Sequence, residues 1–294
     1  MPIIENSEYE NKVVVITGAG NGLGRAHAIE YAKRGAKIVI NDLGGGVDGS
    51  GAGDAADQVV DELIAMGAEA VANKASVSDP EGAASIVQSA IDAFGRIDIL
   101  VNNAGILRDR SFKKMSLADW DLVLQVHLSG TAYVTRAAWP LMNEQGYGRI
   151  VLTSSSSGIY GNFGQANYGA AKMGMLGLMN VLALEGAKNN VRVNTLAPAA
   201  ATRMIATIPG REIDPNSPPP ESAPKLVSPA VLFMTSADAP TGAVINAGGG
   251  RFYRAQVFVN EPISLGVDAT FEDLMANADA LMDMSAAKPK TGGV

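Results

Sequence analysis

A chain of 294 residues, 47% of them apolar, can bury one large core, and a net charge of −7 leaves no general basic face for nucleic acid or an anionic membrane. With no cysteine, disulfides, thiolate catalysis and cysteine-based metal sites are excluded, and two histidines leave little imidazole chemistry. The acidic start "MPIIENSEYE" is no signal peptide, no 18 apolar residues run together, and the "KTGGV" end is not a serine-lysine-leucine address, so the expectation is a cytoplasmic protein without membrane insertion.

Seven short runs rich in β-branched residues follow in order: "KVVVIT" (12–17), "KIVIND" (37–42), "AEAVAN" (68–73), "IDILVNN" (97–103), "RIVLTSS" (149–155), "VRVNTLAP" (191–198) and "GAVINAG" (242–248). Helix-period segments separate them. Near-continuous apolar strands alternating with helices predict an α/β fold, a Rossmann-type doubly wound seven-stranded parallel sheet of strand order 3-2-1-4-5-6-7. The reading puts one domain over residues 1–260 and an amphipathic helix with a flexible tail over 261–294. That helix starts at a capping box, Thr270 with Asp273, and sets Phe271, Leu274, Met275, Ala278, Leu281 and Met282 on one face for packing on the core. The tail from Ser285 is expected to fray. Two insertions, "LGGGVDGSGAG" (43–53) and "PGREIDPNSPPPES" (209–222), read as loops.

After the first strand comes "TGAGNGLG" (17–24), in which Gly18, Gly22 and Gly24, with Asn21 and Leu23 between them, open a helix. Glycines there allow a sharp turn and bring backbone N–H groups and a helix N-terminus against a pyrophosphate. A tight structural turn is the plain alternative. Asp42, 24 residues beyond Gly18, ends the second strand where a carboxylate would accept from adenine-ribose hydroxyls and repel a 2′-phosphate, which favours NAD over NADP. Ser76 and Val77 follow the third strand, and "NNAG", with Asn103, Ala104 and Gly105, follows the fourth. All of these strand ends border one crevice.

The fifth strand runs into "TSSSS" (153–157), and the next helix carries Tyr168 and Lys172 at positions i and i+4. An ammonium beside a phenol favours phenolate and would bring the tyrosine below its usual value of about 10. Ser155 can reach the same substrate oxygen, so the three residues can hold an alcohol, take its proton and leave hydride to a nicotinamide. Singly, each residue has a bland reading as interface aromatic, solvated charge or turn.

Together, Gly18, Gly22, Gly24, "NNAG", Ser155 and Tyr168-x-x-x-Lys172 resemble the short-chain dehydrogenase/reductase family over residues 12 to about 250. Within it, "NNAGILRDRSF", "VTRAAW", "YGRI" and "SGIYGNFGQANYGAAK" resemble the (3R)-hydroxyacyl-CoA dehydrogenases of multifunctional β-oxidation enzymes, also described as 17β-hydroxysteroid dehydrogenases. The resemblance implies NAD-dependent oxidation of a 3-hydroxyacyl-CoA, with a steroid-like alcohol or a non-catalytic dinucleotide-binding role as alternatives. By matching position it implies Leu23 in the phosphate turn, Asp42 at the ribose, Ser76 and Val77 at the adenine, Asn103 in the crevice, and Ala200, Ala201, Thr202 and Arg203 toward the nicotinamide. His127 in "QVHLSG" stands where the family usually has asparagine; it either joins a proton relay to Lys172 or packs as a satisfied histidine. Pro198-Ala199 replaces the usual Pro-Gly.

Arg108, Arg110, Lys113 and Lys114 form a basic cluster that reads as solvated charge or as a seat for CoA phosphates. Met204, Ile205 and Ile208 begin a substrate lid in the proline-rich loop. Gly169, Gly174 and Gly177, with Met173, Met175, Leu176 and Met179, suggest a flat apolar helix surface and hence a homodimer or homotetramer, against ordinary core packing.

Overall fold

The computed structural model describes residues 4, 7–206, 214–215 and 217–290. The chain divides into two compact units, Met1–Arg254 and Ala255–Val294. In the first, β1 (Val13–Thr17), β2 (Lys37–Asn41), β3 (Ala70–Asn73), β4 (Ile99–Asn102), β5 (Gly148–Thr153), β6 (Val191–Ala199) and β7 (Val244–Gly248) lie in the order β3-β2-β1-β4-β5-β6-β7. All six pairings are parallel. The central strands are buried along their length, which is why they read as unbroken apolar runs. Val14 pairs with Ile38 on one side and Ile99 on the other, so the order reverses between β1 and β4 and a crevice opens beyond their carboxyl ends.

An eighth strand, β8 (Arg251–Ala255), extends the expected seven. Gly249 and Gly250 both take positive φ (57° and 72°), forming the two-residue link that turns the chain straight back beside β7. Its first four residues are exposed, so no buried apolar run announced it.

Helices α1 (Gly22–Ala32), α2 (Ala55–Ala65) and α3 (Pro80–Phe94) join the first four strands. After β4 come α4 (Leu117–Leu124), a π-helical turn (Gln125–Ser129) and α5 (Gly130–Gln145). After β5 come α6 (Ser156–Tyr160) and the long α7 (Ala166–Gly186); α8 (Arg203–Ala206) and α9 (Ser228–Thr235) follow β6. Arg149, fully buried in β5, donates to the carbonyls of Gly148, Asn190, Ser236 and Ala237, so loop carbonyls rather than a carboxylate satisfy its charge.

In the second unit the single helix read from the sequence is two, α10 (Phe271–Ala276) and α11 (Ala278–Met282), parted at Asn277. The capping box of Thr270 and Asp273 is present. The apolar face that follows it is exposed, Phe271 at 70% and Met282 at 75%. Within the tail, β10 (Lys288–Pro289) pairs antiparallel with β9 (Phe258–Val259), and Lys288 Nζ lies 2.6 Å from Glu261 Oε1.

Candidate active site

The glycine turn is shaped by what a side chain would strike. A Cβ at Gly18, whose φ is +62°, would stand 2.7 Å from Ala104 Cα, and one at Gly24 would stand 2.4 Å from the Gly18 carbonyl oxygen. Asn21 precedes α1 in extended conformation without capping it by its side chain, so the first N–H groups of the helix stay open at the crevice. Asn103 ties the two sides together: its Nδ2 donates to the carbonyls of Thr17 (3.1 Å) and Gly18 (2.9 Å), while Thr17 Oγ1 accepts from the Asn103 and Ala104 amides. Asp42, next after β2, accepts from Gly20 N and Gly44 N, each at 2.7 Å, one to each carboxylate oxygen. It therefore both starts the glycine loop and faces the crevice.

A cavity of about 320 Å³ follows the strand ends, a volume within the range of ligand pockets. Gly18, Asn21, Gly22, Leu23, Asp42, Ser76, Val77, Asn103, Ala104, Gly105, His127, Ser155, Tyr168, Lys172, Ala200, Thr202 and Arg203 line it. Two residues named from the sequence do not. Gly24 sits behind the turn, against Gly18 and Ala19, where it allows the close approach of α1. Ala201 is 2% exposed and donates its amide to the Ser222 carbonyl, so its backbone is already engaged away from the cavity.

The 43–53 insertion was read only as a loop, yet Leu43, Gly45, Gly46, Val47 and Gly49 form one wall of the cavity. It crosses to the loop after β4, where Leu107 N donates to Val47 O (2.9 Å) and Arg108 Nε to Asp48 O (2.8 Å). The many glycines in a long β2–α2 connection were the available signal. Of the basic cluster, Arg108 is thus engaged in that wall, while Lys113 and Lys114 stand exposed on a short 3₁₀ turn; none of the four lines the cavity. Ile208 and residues 209–213 and 216 of the expected lid lie outside the described residues.

At the reacting end, Ser155, two residues beyond β5 and in extended conformation, caps α6, its Oγ accepting from Ser157 N at 3.1 Å. Lys172 is 2% exposed; its Nζ donates to Thr153 O at 2.5 Å and lies 5.4 Å from the centroid of the Tyr168 ring. Thr153 was not singled out from the sequence because its contribution is a backbone carbonyl. The expected phenol acidification by the ammonium is not what the free site shows. Burial pushes Tyr168 up to about 12, opposed by a hydrogen bond with Ser155 and reinforced by the Asp109 charge. Burial also pushes Lys172 down to about 7. Desolvation outweighs the pairwise attraction because both groups are withdrawn from water.

His127 is fully buried in the π-helical turn, edge-on to Tyr168 with ring centroids 5.1 Å apart. Its Nε2 is engaged with the Ile106 backbone, 2.8 Å from O and 3.0 Å from N, rather than with Lys172. Burial, and next the Lys172 charge, hold it well below its usual range, so the ring is neutral. Gly105 makes room for it: a Cβ there would fall 2.3 Å from His127 Cε1.

The expected flat surface on α7 changes composition. Met175, Leu176 and Met179 are buried, and Gly174 packs on Leu128; the exposed stripe is Met173, Gly177, Val181 and Leu184. Among the described residues no group of histidine and carboxylate side chains could hold a metal ion, and no helix is long and apolar enough to cross a membrane.

The profile of a family described as short chain dehydrogenase matches residues 12–210. A Mycobacterium tuberculosis protein named as a short-chain type dehydrogenase/reductase is 47% identical over 281 residues, 95% of this chain and 96% of that one. Mouse peroxisomal multifunctional enzyme type 2 is 51% identical over 244 residues, 82% of this chain but 32% of the mouse protein, so this chain spans about a third of that relative. The crystal structure of a short chain dehydrogenase from Mycobacterium avium superposes with a TM-score of 0.82 at 40% identity, covering 96% of this chain and 98% of that one. The parallel sheet, the glycine turn at its reversal point and these similarities agree: the chain belongs to the short-chain dehydrogenase/reductase family and is an oxidoreductase.

Proposed function

We propose that the protein oxidises a secondary alcohol to a ketone with NAD, and that the alcohol is a (3R)-3-hydroxyacyl-CoA in a β-oxidation-type pathway. The observation that carries the chemistry is the convergence of Ser155, Tyr168 and Lys172 on one end of the cavity whose other end holds the glycine turn and Asp42. The cradle fits a dinucleotide: the positions that a Cβ would block are glycine, α1 is uncapped, and Asp42 presents a carboxylate beside Gly20, which would repel a 2′-phosphate. NAD is therefore the cofactor of choice. The resemblance to the multifunctional dehydrogenases supports the acyl-CoA, and the apolar walls beside Tyr168, from Ile106, Leu122, Val126 and Met204, suit an acyl chain.

In this reading Gly22, Leu23 and the start of α1 bind the diphosphate, and Asp42 accepts from the ribose. Bound nicotinamide supplies the hydride acceptor. Ser155 orients the substrate hydroxyl by a hydrogen bond. The Tyr168 oxygen takes the proton of that hydroxyl as the carbon–hydrogen bond breaks, and Lys172, anchored on Thr153 O, stabilises the phenolate form. Tyr168 enters this step as phenolate, a form that burial disfavours in the free site, so a proton leaves the phenol before the substrate's is taken. The exposed stripe of α7 is the proposed contact between copies in a homodimer or homotetramer.

Steady-state reduction of NAD is the test, with (3R)-3-hydroxyacyl-CoA esters of several lengths set against 17β-hydroxysteroids. Turnover confined to the CoA esters supports the reading. Turnover confined to steroids replaces the substrate, and tight NAD binding without turnover of any secondary alcohol removes the enzyme reading of the site.

A further inference from the structure

We propose that residues 43–53 form a strap across the glycine turn, which a dinucleotide must displace to enter and to leave, and that Arg108 is the positioning residue that latches this strap and so sets the rate of cofactor exchange. The inference rests on reading the cavity as a dinucleotide site.

Topology places the strap. β2 and β4 lie on opposite sides of β1. The strap leaves the end of β2 and meets the loop after β4 at Leu107 and Arg108, so it crosses the carboxyl end of β1, where the glycine turn begins. Its neck is fastened to that turn: one oxygen of the Asp42 carboxylate accepts from Gly20 N and the other from Gly44 N, while Gly53 N donates to Leu43 O at 3.0 Å and closes the loop. A Cβ at Gly44 would stand 2.4 Å from Gly53 N, so the two sides of the neck touch. The tip is a compact turn in which Gly46 N donates to Ser50 O at 2.7 Å and Asp48 Oδ1 accepts from Ser50 N and Oγ. Gly45, Val47 and Gly49 share the cavity with Gly18 and Gly22, so the strap bridges the crevice at the dinucleotide end and is tied on both sides.

The way the strap is held is also what lets it open. None of its residues is buried, and six of them are glycine. Its attachments are hydrogen bonds and one apolar contact, at Gly49, where a Cβ would lie 3.2 Å from two side-chain carbons of Ile106. A segment with no buried apolar side chain of its own opens locally at small free-energy cost while the rest of the fold stays closed. Two bonds at the tip resist that opening, Leu107 N to Val47 O and Arg108 Nε to Asp48 O. The second comes from a charged donor and is the stronger of the two. Arg108 is itself anchored: its Nη1 lies 3.5 Å from Asp119 Oδ1, and its carbonyl accepts from Asn167 Nδ2 at 3.2 Å, one residue before Tyr168. The latch thus joins the cofactor side of the cavity to α4 and α7 at the reacting end.

The test is NADH exchange followed by stopped-flow fluorescence. The strap lies in the path in both directions, so Arg108→Met, which removes the donor, should raise the association and dissociation rate constants together, each by about five- to tenfold, the scale of one such hydrogen bond, with Kd changed less than either. Arg108→Lys restores a cationic donor and should fall between the methionine variant and wild type. Because the chain has no cysteine, a second variant can lock the strap: in Gly49→Cys with Ile106→Cys the two Cβ positions stand 3.8 Å apart, the ordinary spacing of a disulfide. Oxidation of that variant should slow both rate constants by about a hundredfold or more, and dithiothreitol should restore them. A lowered thermal midpoint without the paired rise in Arg108→Met, a rise in dissociation alone, or equal NADH exchange in the oxidised and reduced double variant overturns the proposal. The two levels stay separate: failure of the wild-type protein to bind NADH removes the dinucleotide reading, whereas binding whose rates ignore both latch and lock removes only the strap.

Discussion

Replacing Lys172 by methionine should make the protein more stable and less active at once. The amine is 2% exposed and burial lowers its pKa from 10.5 to about 7, a gap of about 3.5 units. At 1.36 kcal/mol per unit, that gap corresponds to about 5 kcal/mol of differential destabilisation below pH 7, an upper bound. Methionine fills a similar space without the charge but leaves Thr153 O without its donor, which costs about 1–2 kcal/mol. The net expectation is a gain of about 3 kcal/mol near pH 6.5, read by urea unfolding of the free protein. Between pH 7 and 10.5 the unfolded chain holds the lysine proton that the folded chain has lost, so wild-type stability climbs with pH across that window. The advantage of the variant should accordingly shrink as pH rises from 7 toward 10 and be constant below 7. Turnover should fall by about a hundredfold or more, because the phenolate loses its cationic neighbour. A variant less stable than wild type, by an amount independent of pH from 7 to 9.5, would refute the argument that desolvation dominates this site.

Other substitutions probe other parts of the cavity. Tyr168→Phe should lower turnover by about a thousandfold while fluorescence titration shows NADH binding within a few-fold of wild type. Asp42→Asn should raise the NADP-to-NAD preference in kcat/KM by about tenfold or more, and lower the melting temperature because Gly20 N or Gly44 N loses a charged acceptor. Gly24→Ala directs a Cβ at two backbone atoms, 2.4 and 2.7 Å away, that cannot swing aside; a loss of more than about 2 kcal/mol together with loss of NADH binding is expected from unfolding and titration. Gly177→Ala meets nothing within 4 Å and should strengthen α7 by about 1 kcal/mol, yet weaken association of copies in sedimentation velocity; unchanged association would move the interface off this stripe.

What could be read before the structure depended on where the physical signal lay along the chain. The central parallel strands are buried on both faces, so Val13–Thr17 and Ile99–Asn102 were legible as apolar runs, whereas Arg251–Ala255 is an exposed edge and was not. Tyr168 and Lys172 were legible because helical spacing alone brings them together. The direction of their pKa shifts was not, because it depends on burial, which nonlocal packing decides. Orientation around a helix failed in the same way: Met175 and Met179 were grouped with Met173 by composition, but only Met173 faces outward. Ala201 was carried over by matching position, and its amide turned out to belong to Ser222.

These misses share a cause that bears on how the site operates. Burial disfavours the charged form of both groups, pushing the phenol up to about 12 and the amine down to about 7, so in the free site charge on either is costly. An ion pair would hold its phenolate by Coulomb attraction and would resist giving it up to a substrate proton. A desolvated neutral pair instead makes charge separation expensive everywhere except where a polar ligand, the Thr153 carbonyl and the Ser155 hydroxyl converge. The serine-lined end of β5 and the backbone carbonyl under Lys172 are thus parts of one electrostatic arrangement. Its working pH follows from how deeply Tyr168 is buried, more than from the lysine four residues away.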